Sequence, residues 1–145
     1  MVVDERIVTK ASAAKAWACL SDLTNVPSWD PAVTRVEQKI PGPVGLGTEF
    51  AVTVLQFGVE SVLDYHVEVF EPERRVVFIG KGPLVTITDT IVVLPYHQGA
   101  RIRMTAELRF VAPLMLLDPL FAWLLGQGLR DAVANLRKQL DATAA

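Results

Sequence analysis

Residues 47–111 carry one short alternating hydrophobic pattern after another, and this constrains the fold more than any other feature of the chain. The last of these segments places Arg103 and Thr105 in a polar row and Met104 in the opposite, apolar row. Such a period of two is typical of a strand with one face in water and one face buried. The breaks between segments are short enough for hairpins. The pattern therefore predicts an antiparallel meander.

Helical patterns flank these strands. Ser12 is a suitable N-cap for a first short helix, and a long amphipathic helix follows Pro119. The apolar stripe of the long helix consists of Leu125, Leu129, Val133, Leu136 and Leu140. This stripe needs an apolar surface, and the concave face of a curved antiparallel sheet is the only large one available. We predict an α+β fold: a strand, one or two short helices, six strands and a long C-terminal helix gripped by the sheet.

Composition narrows the classes of function. The 145 residues fit one domain, residues 1–145, and no repeat or linker divides them. The net charge of -2, with no run of like charges, argues against a nucleic-acid partner. Cys19 is the single cysteine and the first residues lack a signal-peptide pattern, so we expect a cytoplasmic protein. The longest apolar stretch, residues 110–125, is shorter than the roughly 20 residues of a membrane span, so no transmembrane segment is expected.

Several local motifs occur in an order that extends over nearly the whole chain. They are Trp17, Trp29 with Pro31, Gly45 and Gly47 before a strand, and the hairpin from Pro95 to Gly99. With the order of elements, they resemble the START-like (SRPBCC) superfamily, and most closely its polyketide cyclase/dehydrase and lipid-transport group. The resemblance implies a helix-grip fold, with a deep internal hydrophobic cavity between the sheet and the long helix that takes lipids, sterols, polyketides, plant hormones or aromatic metabolites. Most members share no catalytic residues, so the resemblance implies a pocket and leaves its ligand open.

One carboxylate interrupts an apolar row: Asp89 lies between Ile87 and Ile91. Related sequences tend to carry an apolar residue at this position. Burying an unpaired charge costs several kcal/mol or forces the group to become neutral. Three interpretations stay open: a structural group, or one turned outward by a bulge; a polar group that contacts a ligand; or a proton-transfer residue whose pKa is raised.

Further ligand-contacting residues are predicted around Asp89. Tyr65 and Gln56 would add polar groups on inward strand faces, and Trp29 lies in the turn that closes one end of the cavity in similar proteins. The predicted apolar wall consists of Met104, Leu108, Phe110, Leu125 and Leu129, with plain core packing as the alternative for each. Two glycines, Gly126 and Gly128, interrupt the long helix at about 0.8–1 kcal/mol each. They predict a close approach to a strand or ligand, or a kink.

No motif for metal or cofactor chemistry is found in the sequence. His66 and His97 are far apart and have no cysteines or paired carboxylates beside them, so no metal site is predicted. There is no Gly-x-Ser-x-Gly nucleophile motif and no phosphate-binding glycine loop after a strand. We therefore expect no cofactor.

Three functions are compatible with these sequence features. The leading hypothesis is binding of a hydrophobic small molecule without chemistry. The second is a polyketide cyclase or dehydratase in which Asp89, with Tyr65, transfers protons. The third is a module that interacts with another protein or with a membrane surface. The partner protein could be a second copy of the chain, which would give a homodimer. It rests on Leu55, Phe57 and Phe70, which alternation places on the outer face of the sheet, and on the apolar segment 112–125.

Overall fold

The computed structural model describes residues 1–56 and 58–144, and within them seven strands form one antiparallel sheet. The strands are β1 (Val2–Thr9), β2 (Val33–Gln38), β3 (Glu49–Gln56), β4 (Val59–Glu71), β5 (Arg75–Lys81), β6 (Val85–Tyr96) and β7 (Gly99–Phe110). Their order across the sheet is β1-β7-β6-β5-β4-β3-β2, so the strands from β2 to β7 form the predicted meander and β1 pairs with its last strand.

The helices form where the sequence indicates. Helix α1 (Ala13–Leu20) begins after Ser12, whose hydroxyl accepts a hydrogen bond from the Lys15 backbone N–H at 3.2 Å. A short 3₁₀ helix, Leu23–Ser28, follows it. Helix α2 (Asp118–Thr143) has Pro119 in its first turn. Backbone N–H groups in the first turn have no intrahelical acceptor, so the missing N–H of proline costs no hydrogen bond there. A further 3₁₀ turn, Leu114–Leu117, precedes it and was not predicted.

The core lies between the concave face of the sheet and the two α-helices. Helix α2 is divided in its packing: its buried residues are Ala132, Val133, Leu136 and Leu140, all in its second half. The first half buries none of its described side chains completely. This is the helix-grip arrangement, and the predicted α+β fold is confirmed.

The predicted face of two residues at the end of β4 is wrong. Alternation places Val69 inward and Phe70 outward, but the pairing of β4 with β5 shifts register between Val67 and Val69. Such a bulge inserts one residue and reverses the faces that follow it. Phe70 is therefore half-buried and packs against the core, with its ring centroid 5.5 Å from that of Trp17. Of the other outer-face residues predicted, Leu55 is exposed, whereas Phe57 lies outside the described residues.

The two glycines of α2 do not make the predicted close approach to a strand. A Cβ atom built on Gly126 or Gly128 would meet no atom within 4 Å.

In the part of the chain that the structure describes, no helix is long and apolar enough to cross a bilayer.

Candidate functional site

A cavity of about 260 Å³ lies between the sheet and the first half of α2. Its walls are mainly apolar side chains from β2, β3, β6 and β7, together with Leu124, Leu125 and Leu129 of α2. The volume is just below the roughly 300–1,000 Å³ of typical small-molecule sites, which are also mostly apolar with a few placed polar groups. The incomplete burial of the first half of α2 follows from this arrangement, because that half covers the cavity instead of core.

Asp89 of β6 faces this cavity, and no bulge turns it outward: its pairing with Phe78 and Ala106 is regular. The accessible surface that it retains belongs to the cavity wall. Burial raises the pKa of Asp89 to about 7; a hydrogen bond from the Tyr65 hydroxyl opposes this rise and the negative charge of Asp30 adds to it. Burial, and then the charge of Asp89, raise the pKa of the Tyr65 hydroxyl well above its ordinary value.

Asp30 is a second carboxylate in the cavity wall, and sequence reasoning missed it. It follows the 3₁₀ helix in the turn before β2, where its side chain accepts a hydrogen bond from the Ala32 backbone N–H at 3.0 Å. Burial raises its pKa, and the bond from Ala32 opposes the rise. The available signal was its position between Trp29 and Pro31, in the turn expected to close the cavity.

Trp29 precedes Asp30 and is also in the cavity wall. Asn135 of α2 donates a hydrogen bond to its backbone carbonyl at 3.3 Å, which ties this turn to the helix. Trp29 is 6% exposed, and the Nε1 atom of its indole is buried with no acceptor among the described residues. A buried donor without an acceptor costs about 1–3 kcal/mol.

Eight of the nine residues predicted to contact a ligand line the cavity. They are Gln56, Tyr65, Asp89, Trp29, Met104, Leu108, Leu125 and Leu129. Phe110 does not, because β7 has passed the end of the cavity at this residue. Its ring packs on Phe121 at the start of α2 instead, with the centroids 4.7 Å apart.

The described residues include no group of three or more His, Cys, Asp or Glu side chains that could hold a metal ion. The charged residues that line the cavity are Asp30 and Asp89. Chemically, this arrangement offers an apolar volume whose wall contains two hydrogen-bond-accepting carboxylates, the phenol of Tyr65 and the amide of Gln56; Thr90 and Thr105 line it as well.

One family model matches nearly the whole chain. The model of the family described as "Polyketide cyclase / dehydrase and lipid transport" matches residues 1–141. The chain belongs to this family. The description of the family names both cyclase/dehydrase chemistry and lipid transport, so membership does not select between these two functions. Among curated proteins, none matches the sequence significantly.

Solved structures show the same fold at low identity. The protein TTHA0849 from Thermus thermophilus is similar over 100% of both chains, with 19% identity and a TM-score of 0.83. A START superfamily protein from Mycobacterium smegmatis is similar over 98% of both chains, with 14% identity and a TM-score of 0.83. At these identities the likeness to each protein concerns the fold alone.

Proposed function

We propose that this protein binds a hydrophobic small molecule, such as a lipid, a polyketide or an aromatic metabolite, in the cavity under α2. The observation that carries the proposal is the apolar cavity of about 260 Å³ with polar groups confined to a few positions. The eight predicted site residues that line the cavity become, in this proposal, the ligand contacts. A cytoplasmic location and a single domain over residues 1–145 stay predictions.

The proposal is tested by substitutions that place a larger side chain in the cavity wall. Replacing Leu129 or Met104 by Trp adds an indole to a side chain that lines the cavity. Binding of the uncharged fluorophore N-phenyl-1-naphthylamine, measured by fluorescence titration, should weaken at least about tenfold in both variants. Leu94→Trp is the matched control, because Leu94 is 46% exposed and lies outside the cavity wall. Thermal melts identify any variant that fails to fold, and unchanged affinity in two folded cavity variants would disprove the proposal.

A second candidate function is polyketide cyclisation or dehydration with Asp89 as general acid and base. The observation that favours it is the pKa of about 7, which suits proton transfer near neutral pH. Tyr65 would orient the carboxyl group through its hydrogen bond. Asp89→Asn should lower turnover of an aromatic polyketide-like substrate by about 10²–10⁴-fold with little change in binding. Full activity in this variant would remove the mechanism.

A third candidate function is contact with a lipid surface through the exposed apolar residues between positions 115 and 123, before and at the start of α2. Leu116 and Trp123 are 79% and 61% exposed, and Met115, Leu117 and Leu120 are also exposed. Co-sedimentation with phosphatidylcholine vesicles should decrease in Leu116→Asp and Trp123→Asp but not in Leu46→Asp, an exposed apolar residue elsewhere on the surface. A dimer in solution that ignores vesicles would favour a second copy of the chain as the partner.

A further inference from the structure

Besides Gln56, Thr90 and Thr105, the cavity wall contains four side chains with polar groups: those of Asp30, Asp89, Tyr65 and Trp29. Two of these four side chains are carboxylates, and their negative charges act on each other because Asp30 adds to the raised pKa of Asp89. Among the residues that the structure describes, no Lys, Arg or His lines the cavity. An anionic ligand group placed here would meet like charges in a largely apolar environment, where repulsion is poorly screened.

Both carboxylates keep acceptor capacity after their protein contacts are made. Asp89 accepts from the Tyr65 hydroxyl and Asp30 from the Ala32 backbone N–H, whereas an ionised carboxylate has about four acceptor sites. Buried polar atoms are normally satisfied. The sites that remain can therefore take a hydrogen bond from a donor group of a ligand.

Trp29 supplies an independent observation that points to a ligand. The residue is 94% buried in the same wall, and its indole N–H has no acceptor among residues 1–56 and 58–144. Asn135 and the turn at Asp30 hold the neighbouring backbone, and the wall that contains Trp29 also contains both carboxylates. A ligand atom that accepts a hydrogen bond would satisfy this donor after a small rotation of the ring.

We infer that the cavity selects an uncharged apolar molecule bearing a hydroxyl group, an alcohol or a phenol, and discriminates against the corresponding carboxylate. A hydroxyl group donates one hydrogen bond and accepts others. It can therefore donate to a carboxylate of the wall and accept from a donor such as the Trp29 indole, whereas a carboxylate ligand cannot donate to Asp30 or Asp89 and brings a further negative charge. The Asp89 pKa of about 7 supports this, because it reflects how unfavourable negative charge already is at this position.

This inference rests on the proposed binding function, and the experiment separates the two. Decanol and decanoate share an alkyl chain and differ in the polar end, so their competition against bound N-phenyl-1-naphthylamine at pH 8 measures the discrimination. Decanol should displace the fluorophore at a concentration at least about tenfold lower than decanoate. If the fluorophore does not bind the folded protein at all, the binding function itself is wrong. If it binds and decanoate competes as well as decanol, only the inferred selectivity is overturned.

Two conservative variants assign the selectivity to residues. Asp89→Asn removes one charge and keeps the size of the side chain. We expect the affinity for decanoate, relative to the affinity for decanol, to rise at least about fivefold in this variant. Trp29→Phe removes the N–H but keeps an aromatic ring, and decanol binding should weaken about three- to tenfold, as the loss of one hydrogen bond predicts. Both residues line the cavity, so the affinity for the fluorophore is measured for each variant first, and the competition constants of decanol and decanoate are calculated with that variant's own value. An unaltered ratio in folded Asp89→Asn, or unaltered decanol affinity in folded Trp29→Phe, would contradict the role given to that residue.

Discussion

The ring of Tyr65 lies across Gly80, its pairing partner on the neighbouring strand, and the Tyr65 hydroxyl reaches Asp89 one strand further. Strand β5 separates the two residues, and a side chain at position 80 would occupy the path between them. A Cβ atom built on Gly80 overlaps the Tyr65 ring. The glycine thus creates the space that allows a phenol on β4 to contact a carboxylate on β6.

We predict that Gly80→Ala displaces the Tyr65 ring. Overpacking of this kind destabilises by about 1–3 kcal/mol, and the contact with Asp89 would be lost as well. Urea denaturation measures the change, and the position of the Tyr65 ring is read from NMR contacts to β6. Gly45→Ala is the matched control, because a Cβ atom there meets no described atom within 4 Å. A Gly80→Ala protein with unchanged stability would contradict the proposed steric role.

The stability of the protein should depend on pH through Asp89. In the unfolded chain this carboxyl group ionises near its ordinary pKa of about 4, whereas burial raises its pKa in the folded protein to about 7. The unfolded state therefore loses the proton first. As the pH rises from about 4 to about 7 the free energy of unfolding falls, and above this range the loss is complete.

Asp89→Asn removes this titration. As the pH rises from about 4 to about 7, the free energy of unfolding of the variant should therefore increase by a few kcal/mol relative to that of the wild type. The charged or titratable groups that act on Asp89 are Tyr65 from β4 and Asp30 from the turn before β2. Its described cavity neighbours from β5, β7 and α2, such as Phe78, Ala106 and Leu125, carry no charge. The difference in unfolding free energy between the two proteins, measured at several pH values, cancels the other titrating groups. A difference that is the same at pH 4 and pH 8 would refute the prediction.

A second pH dependence, of opposite sign, should arise from Asp141 near the end of α2. Its carboxylate accepts hydrogen bonds from the Thr9 hydroxyl at 2.6 Å and from the Lys10 backbone N–H at 2.9 Å, which joins α2 to the end of β1. The Thr9 bond first, and then the Lys10 bond, lower the pKa of this carboxyl group. Its stabilising contribution is therefore present above the ordinary pKa of about 4 and is lost as the pH falls through the lowered value.

Asp141→Asn should destabilise the protein by about 1 kcal/mol at pH 7, an estimate reduced for solvent screening at this partly exposed site. The difference from the wild type should shrink as the pH falls below about 4. Chemical denaturation at two pH values tests this. Asp131→Asn, at an exposed position of the same helix, serves as the control and should change stability by less than about 0.5 kcal/mol. Equal effects of the two substitutions would remove the special role of Asp141.

The fold and most of the cavity wall could be predicted from alternation, because inward faces of strands recur every second residue and need no knowledge of the tertiary structure. The reversal at Val69 and Phe70 could not, since both residues are apolar and neither order violates the pattern. Asp30 was missed for another reason: it lies in a turn, where the direction of a side chain depends on the local path of the backbone. The contact of Tyr65 with Asp89 depends on the register of three strands, which the sequence of any one strand does not contain.

The glycines of α2 provide a last prediction that links stability to the cavity. A Cβ atom at either Gly126 or Gly128 has open space around it, so Gly→Ala at each position should stabilise the helix by about 0.5–1 kcal/mol. Gly128 lines the cavity and Gly126 does not. A larger residue should therefore separate the two: Gly128→Leu should weaken N-phenyl-1-naphthylamine binding several-fold, whereas Gly126→Leu should leave it unchanged. Thermal melts and fluorescence titrations of the four variants measure both effects. Equal binding by the two leucine variants would mean that position 128 has no role in shaping the space available to a ligand.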